Sequence, residues 1–355
     1  MSFTPFNAPL LGELLGDRDA AAFFSVKADL DGMIRFEAAL AKAEAAHDVI
    51  PKDAARAIAD ALEGFEPDVR AIGAATARDG VTVPELVRQM RRAIGEPHSA
   101  HLHFGATSQD LVDTSLVLRI KELSNLLDSR LLQVESQLER LETAFGGNGL
   151  MARTRMQAAI PITVADRIAA WRSPFEDHRS QLAQLKPRLL CLQFGGAAGT
   201  LDRLGDKAEP VAGELAGLLG LKTPRRNWHT NRSAIAGYAN WLSLVTGSLG
   251  KIGQDMALMA QNGIDEVALS GTGRSSAMPH KQNPVQAESL ITLARFNAVL
   301  LSGMHQAMVH EQERSGAAWA LEWMLLPQMC VATAAATRNA VLLLESVERM
   351  GSPER

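Results

Sequence analysis

An all-α fold, built as a bundle of long helices, is predicted for this 355-residue chain by three observations. Sustained alternation of β-branched and aromatic residues is missing, and there is a single tyrosine. Apolar residues recur at alternating threes and fours over long stretches, the seam expected of helices packed nearly parallel. Prolines are sparse where those stretches run, with none between Pro97 and Pro161.

Taken in order, residues 1–100 carry shorter helical patterns broken by Pro51, Pro67, Pro84 and Pro97, and read as an N-terminal helical domain. Residues 101–355 hold the long helices and the loops between them. The first apolar series runs from Leu116 through Ile120, Leu123, Leu127, Leu131, Val134, Leu138 and Leu141 to Phe145. It predicts a helix over Leu111–Phe145, on the order of 50 Å long at ~1.5 Å per residue. So long a helix buries part of its stripe against other subunits, so a homo-oligomer is expected. A further series, Ile168, Trp171, Phe175, His178, Leu182, Leu185 and Leu189, makes His178 a core histidine. Pro174 and Pro187 should kink or end that helix nearby. The series from Ile235 through Tyr238, Leu242, Val245, Leu249, Ile252 and Met256 to Met259 predicts another unbroken helix.

Composition narrows the class. The hydrophobic fraction is 46% and the charged fraction 21%, as in ordinary globular chains and not in disordered or fibrous ones. A net charge of −4 speaks against nucleic-acid binding by bulk charge. Two cysteines, Cys191 and Cys330, make no disulfide framework, and no Cys/His spacing suggests zinc. Met1–Leu10 lacks the pattern of a secretory leader. Ser233–Gly250 is uncharged over 18 residues, but Asn240, Ser243, Thr246, Ser248 and three glycines make it a buried helix, not a membrane span. The reading is a soluble, cytoplasmic protein with neither membrane nor nucleic-acid partners.

Three segments stand out as poor packing material. The loop Ser270–Pro284 keeps two adjacent serines, a histidine, a lysine and an asparagine after Gly271 and Gly273. It is either a mobile lid that excludes water from a substrate or a solvated connector, and Pro284 suits the start of the next helix. The segment His101–Asp110 places two histidines, Thr107 and Ser108 before a long helix. Its hydroxyls serve either an anion at that helix N-terminus or an N-cap. Met151–Gln157 sets Arg153 and Arg155 beside a threonine and a glutamine, as a carboxylate clamp or as solvated arginines at a helix start. Gly195–Thr200 is only superficially a phosphate loop, since it lacks the lysine and follows no predicted strand.

Together these segments resemble the fumarase/aspartase superfamily. Ser275-Ser276-Ala277-Met278-Pro279-His280-Lys281-Gln282-Asn283-Pro284 matches that family's S-S-x-M-P-x-K-x-N-P pattern at every fixed position. Thr107-Ser108 with Asp110 resembles its first motif region, and Met151–Gln157 is similar to its second. Leu192–Leu201, Trp228-His229-Thr230 and Glu311–Ser315 resemble its lactonising cycloisomerase branch. The resemblance implies a homotetramer with a central helical core and active sites shared between subunits, acting on a small tricarboxylate of aromatic catabolism. It implies Ser275 as the proton-transfer residue, with Lys281 and Asn283 binding and polarising a carboxylate, and Thr107 and Ser108 binding another. His103, Arg153, Arg155, Gln157 and Arg314 complete the expected substrate-binding set, and no metal or organic cofactor is implied. Arg155 stands where the lyases of the superfamily carry a histidine, and Arg274 where a glycine is common. The chain is shorter than typical members, so the small C-terminal domain is expected to be reduced or absent. The alternatives are an adenylosuccinate- or argininosuccinate-type lyase, or a non-catalytic helical scaffold, against which the intact loop speaks.

Overall fold

The computed structural model of the chain describes residues 4–271, 273–274, 278 and 282–352. The N-terminal part opens with two short helices, α1 (Gly12–Leu15) and α2 (Arg18–Ala22). Then come α3 (Val26–Ala46), α4 (Lys52–Leu62), α5 (Val69–Asp79) and α6 (Val83–Ile94). Local chemistry sets their ends. Ser25 Oγ accepts the Ala28 N–H at the start of α3, and Asp68 accepts the Ala71 N–H at the start of α5. Gly80, in the left-handed region at φ 72°, ends α5.

The long-helix series follow. Helix α7 (Ser108–Phe145) begins three residues before the predicted start and ends where predicted; along it Leu123, Leu127, Leu131, Val134, Leu138 and Leu141 are fully buried. Helices α8 (Val164–Leu189), α9 (Ala208–Leu219), α10 (Ser233–Met259), α11 (Val285–Gln306) and α12 (Ala317–Glu345) complete the chain of helices. Arg172–Glu142 and Arg179–Asp128 ion pairs show α8 running antiparallel to α7. On α10, a Cβ at Gly250 would lie 2.5 Å from Ala294 Cβ, and one at Gly253 would lie 2.6 Å from the Ala287 carbonyl oxygen. The backbones of α10 and α11 therefore meet at glycine contacts that no larger residue would permit. Asn297 on α11 donates to Thr333 on α12, and Asn339 on α12 donates back to Ser289, so these two are also antiparallel. The five long helices thus run up and down side by side, as a bundle does. No helix among the described residues is long and apolar enough to cross a membrane.

Two expectations are revised. Of the two prolines expected to kink or end α8, Pro187 lies two residues before its last residue, Leu189, whereas the helix runs on through Pro174. A proline missing its N–H is tolerated when the face it occupies is packed, and Trp171, Phe175 and His178 around it are buried. The second correction concerns Met151–Gln157, which is not a helix start. Strands β1 (Gly149–Thr154) and β2 (Gln157–Thr163) form an antiparallel hairpin whose two-residue turn is Arg155-Met156, at φ 49° and 68°. Such turns usually announce themselves with Asn-Gly or Asp-Gly, and this one does not. Two smaller pairings lie beyond it: β3 (Val267–Leu269) with β6 (Val347–Met350), and β4 (Gly273–Arg274) with β5 (Gln282–Asn283).

The buried apolar residues divide into two cores. One fills the space between α7, α8, α10, α11 and α12. The other joins α3 to α6 with the first turns of α7 and with α9. Two carboxylates, Glu37 and Glu44, lie inside this second core, seven residues apart and therefore on one face of α3. Neither oxygen of Glu44 has a hydrogen-bond partner among the described residues, and burial beside Glu37 pushes its carboxyl up to about 9.

The folded protein keeps a proton on Glu44 that the unfolded chain releases above about 4.5. The carboxyl therefore costs stability increasingly from pH 4.5 to about 9, by up to roughly 1.4 kcal/mol per pH unit. Glu44→Met is expected to raise the unfolding temperature at pH 8 and to change it little at pH 5. Thermal unfolding of both proteins across that range checks it; a gap independent of pH contradicts it.

Candidate active site

The first two turns of α7 carry two fully buried carboxylates, Asp110 and Asp113, one helical turn apart. Asp110 closes the helix start by accepting the Thr107 N–H at 3.0 Å. Its two oxygens also accept the Gly195 and Gly196 N–H groups at 2.9 and 3.0 Å, and meet His229 Nε2 at 2.8 Å. The glycine segment that looked like a phosphate loop is thereby fastened to α7, its first two N–H groups already committed to Asp110.

Asp113 faces Arg232, the residue just before α10. The Arg232 guanidinium donates to both Asp113 oxygens at 2.6 and 3.1 Å, and to Glu322 of α12 at 2.5 Å. Trp319 and Gln109 donate further hydrogen bonds to Asp113, and the Trp228 ring lies 4.8 Å from the Arg232 guanidinium carbon. Burial opposes the charge on Arg232, yet Asp113 and Glu322 outweigh it and hold its pKa above the ordinary value. Burial likewise pushes Glu322 up, and the neighbouring His310 and Arg232 bring it below the usual carboxylate range. His310 sits 3.7 Å from Glu322 with its side chain buried.

The expected site residues fall at two ends of the bundle. At the start of α7, Thr107 and Ser108 are half-buried, and Thr107 serves as the N-cap. Arg314, from the loop between α11 and α12, donates to Gln109 at 3.3 Å and to the Gly196 and Ala197 carbonyls. His103 joins this end, its Nδ1 lying 2.5 Å from Glu37 Oε1. Burial opposes protonation of His103, but Glu37 and Asp110 reverse the balance and raise its pKa, against the opposing charge of Arg91.

Arg153, Arg155 and Gln157 lie at the other end, exposed on the β1–β2 hairpin. Arg153 donates to Glu266 at 2.5 Å, and with Arg155, Arg167, Lys251 and Asp255 it lines a cleft of about 530 Å³. Asn283, half-buried on β5 ahead of α11, belongs to this end too. Helix α7 separates the ends: 38 residues at ~1.5 Å each span on the order of 57 Å. Ser275 and Lys281 lie outside the described residues. One chain therefore does not bring the Thr107 and Arg153 groups together.

Sequence reasoning passed over Asp113, Arg232, Glu322 and Glu37. Only the spacing of Asp110 and Asp113 carried a signal, two acids on one face of a helix start. Nothing local to Arg232 or Glu322 distinguishes them from solvated residues.

A long-helix bundle with motif segments at its helix ends defines a lyase-type scaffold, and the sequence agrees: residues 18–299 match a family described as lyase, to which the chain belongs. The chain is 41% identical to a 3-carboxy-cis,cis-muconate cycloisomerase of Pseudomonas aeruginosa, over 92% of its own length and 72% of that protein. It is 38% identical to the enzyme of that description from Pseudomonas putida, over 97% of this chain and 81% of that one. The crystal structure of 3-carboxy-cis,cis-muconate lactonizing enzyme from Pseudomonas putida superposes with a TM-score of 0.90 at 38% identity, covering 96% of this chain and 77% of that one.

Removing one partner from the buried cluster isolates the others. Arg232→Met, which strands Asp113 and Glu322, is expected to cost about 3–5 kcal/mol. Adding Asp113→Asn should recover part of that loss. Urea unfolding midpoints of the two variants measure both; a recovery of nothing contradicts the pairing.

Proposed function

We propose that this chain catalyses the cycloisomerisation of 3-carboxy-cis,cis-muconate to 4-carboxymuconolactone, a step in protocatechuate breakdown, as a cytoplasmic homotetramer. The observation that carries the reading is its likeness, at 35–41% identity over nearly its whole length, to four proteins of that description. The intact Ser275–Pro284 loop supports it from the sequence.

The chemistry makes clear demands on the protein. One substrate carboxylate adds to a carbon–carbon double bond of the same molecule, so binding must hold oxygen and carbon in line. As the C–O bond forms, the π electrons move onto a neighbouring carboxylate and build an enediolate. Lys281, Asn283 and the arginines near the motif segments stabilise that charge. Ser275 then delivers a proton to the adjacent carbon, and no atom is gained or lost overall. Thr107 and Ser108 at the start of α7, with Arg314 and His103, hold a second carboxylate. Arg153, Arg155 and Gln157 hold the third. A substrate with three negative charges explains why a chain of net charge −4 concentrates cations at its motif segments.

The roughly 57 Å between the two ends supports a site completed by several chains. Apolar side chains left open on the long helices, among them Val299 on α11 and Trp323 and Met324 on α12, suit burial between subunits.

Mixed with the muconate, the purified protein is expected to bleach its ultraviolet absorbance. Ser275→Ala should assemble normally and lose about 10²–10⁴-fold in turnover; full turnover removes Ser275 from the proton transfer. A separate test addresses sharing. Arg155→Ala and Arg314→Ala are each expected to be weakly active, and co-refolding the two should restore part of the activity, because some sites then receive both intact ends. No recovery in a verified mixed oligomer contradicts a shared site.

A further inference from the structure

The reaction as drawn uses His103 only as one of several carboxylate holders, yet its surroundings single it out. Its Nδ1 meets Glu37 Oε1 at 2.5 Å, and the Glu37 side chain has no solvent exposure. The His103 ring keeps 17% of its surface open, and its Nε2 has no hydrogen-bond partner among the described residues. The backbone is held as well. His103 sits at φ 63°, a conformation costly for a residue with a side chain and sustained only where neighbours enforce it. Arg91 of α6 enforces it from one side by donating to the Leu102 carbonyl at 3.0 Å.

We propose that Glu37 is a positioning residue: it holds the His103 ring by Nδ1 so that Nε2 donates a hydrogen bond to a substrate carboxylate at the start of α7. The inference rests on the function proposed above, deepening the role of one residue in that site. The charged groups acting on the ring are Glu37 on α3, Asp110 on α7 and Arg91 on α6; Glu44 lies beside Glu37, and Arg203, which acts on Glu44, stacks on Phe104 at 4.2 Å. A buried carboxylate without a cation is strongly disfavoured. Two carboxylates share the α3 face and one imidazole serves them; Glu44 keeps its proton, and the Glu37 contact at Nδ1 favours the protonated form of His103. With Nδ1 held by Glu37, the N–H left to the protonated ring is at Nε2. That N–H lies four residues before Thr107, where the α7 N-terminus also favours an anion. A neutral histidine there would be free to present either nitrogen; Glu37 removes that freedom.

The test needs the full-length protein labelled with ¹³C-histidine, with His103→Asn used to assign the resonance. In the wild type His103 is expected to titrate above the ordinary value of about 6.5, and in Glu37→Gln lower than in the wild type. Kinetics with the muconate then separate positioning from simple structural support. In Glu37→Gln, KM should rise roughly tenfold at a pH between the two measured His103 titrations, the loss of one charge-assisted hydrogen bond, and return toward wild type at a pH below both. The kcat should change far less than KM. A wild-type titration at or below about 6.5 overturns the proposal without any variant. So does a Glu37→Gln enzyme whose loss is the same at every pH. Should the muconate not be turned over, the substrate assignment falls, and tricarballylate serves as probe. It should then shift the His103 resonance in the wild type and do so less in Glu37→Gln, and no shift in the wild type overturns the role of Nε2.

Discussion

Two carboxylates buried in the first two turns of one helix govern the site end of this protein. Asp110 and Asp113 cannot remain ionised in an apolar interior without compensation, and no residue within their own helix supplies a cation to them. Their partners come from the glycine segment after α8, from His229, from Arg232 ahead of α10, and through Arg232 from Glu322 on α12. Three separate pieces of chain, the glycine segment, the His229–Arg232 segment and α12, are thus held at fixed positions around one helix start. The network is weak evidence for stability, because the desolvation of its charges offsets much of their attraction. Its consequence is geometric, since its hydrogen bonds fix the positions of those segments relative to the start of α7.

The same electrostatic logic recurs in the N-terminal core with a different outcome. Glu37 and Glu44 also lie buried on one helix face, but only one histidine meets them. The shortage is resolved by protonation: Glu44 stays neutral across the physiological range, whereas Glu37 remains paired. Asp110 instead meets His229, and Asp113 shares Arg232 with Glu322.

Helix length imposes the second constraint on the site. Thr107 and Ser108 at the start of α7 and the arginines of the β1–β2 hairpin are fixed at opposite ends of a 38-residue helix. No loop in the described structure folds back along it to bring them together. Apolar side chains stay open on α11 and α12, and the proposed assembly of several copies side by side would cover them and bring the separated ends together.

How much of this was readable beforehand follows from the range of each interaction. Apolar periodicity, proline placement and capping residues act within a few positions, and they sufficed for the long helices: α7 ends at Phe145 and α10 at Met259, as the spacing requires. The motif loop and the departures at Arg155 and Arg274 were likewise legible in the residues themselves. The passage of α8 through Pro174 depended on packing around it, and the hairpin at Arg155-Met156 carried no turn residues to announce it. Which carboxylate meets which cation was beyond reach for a stronger reason. Arg232 and Asp113 are 119 positions apart, and His103 and Glu37 are 66. Charge pairing has no sequence period, so the residues alone determined the helices and the chemistry they carry, while only the packed bundle decided which charges are buried together and which residues stand at which end.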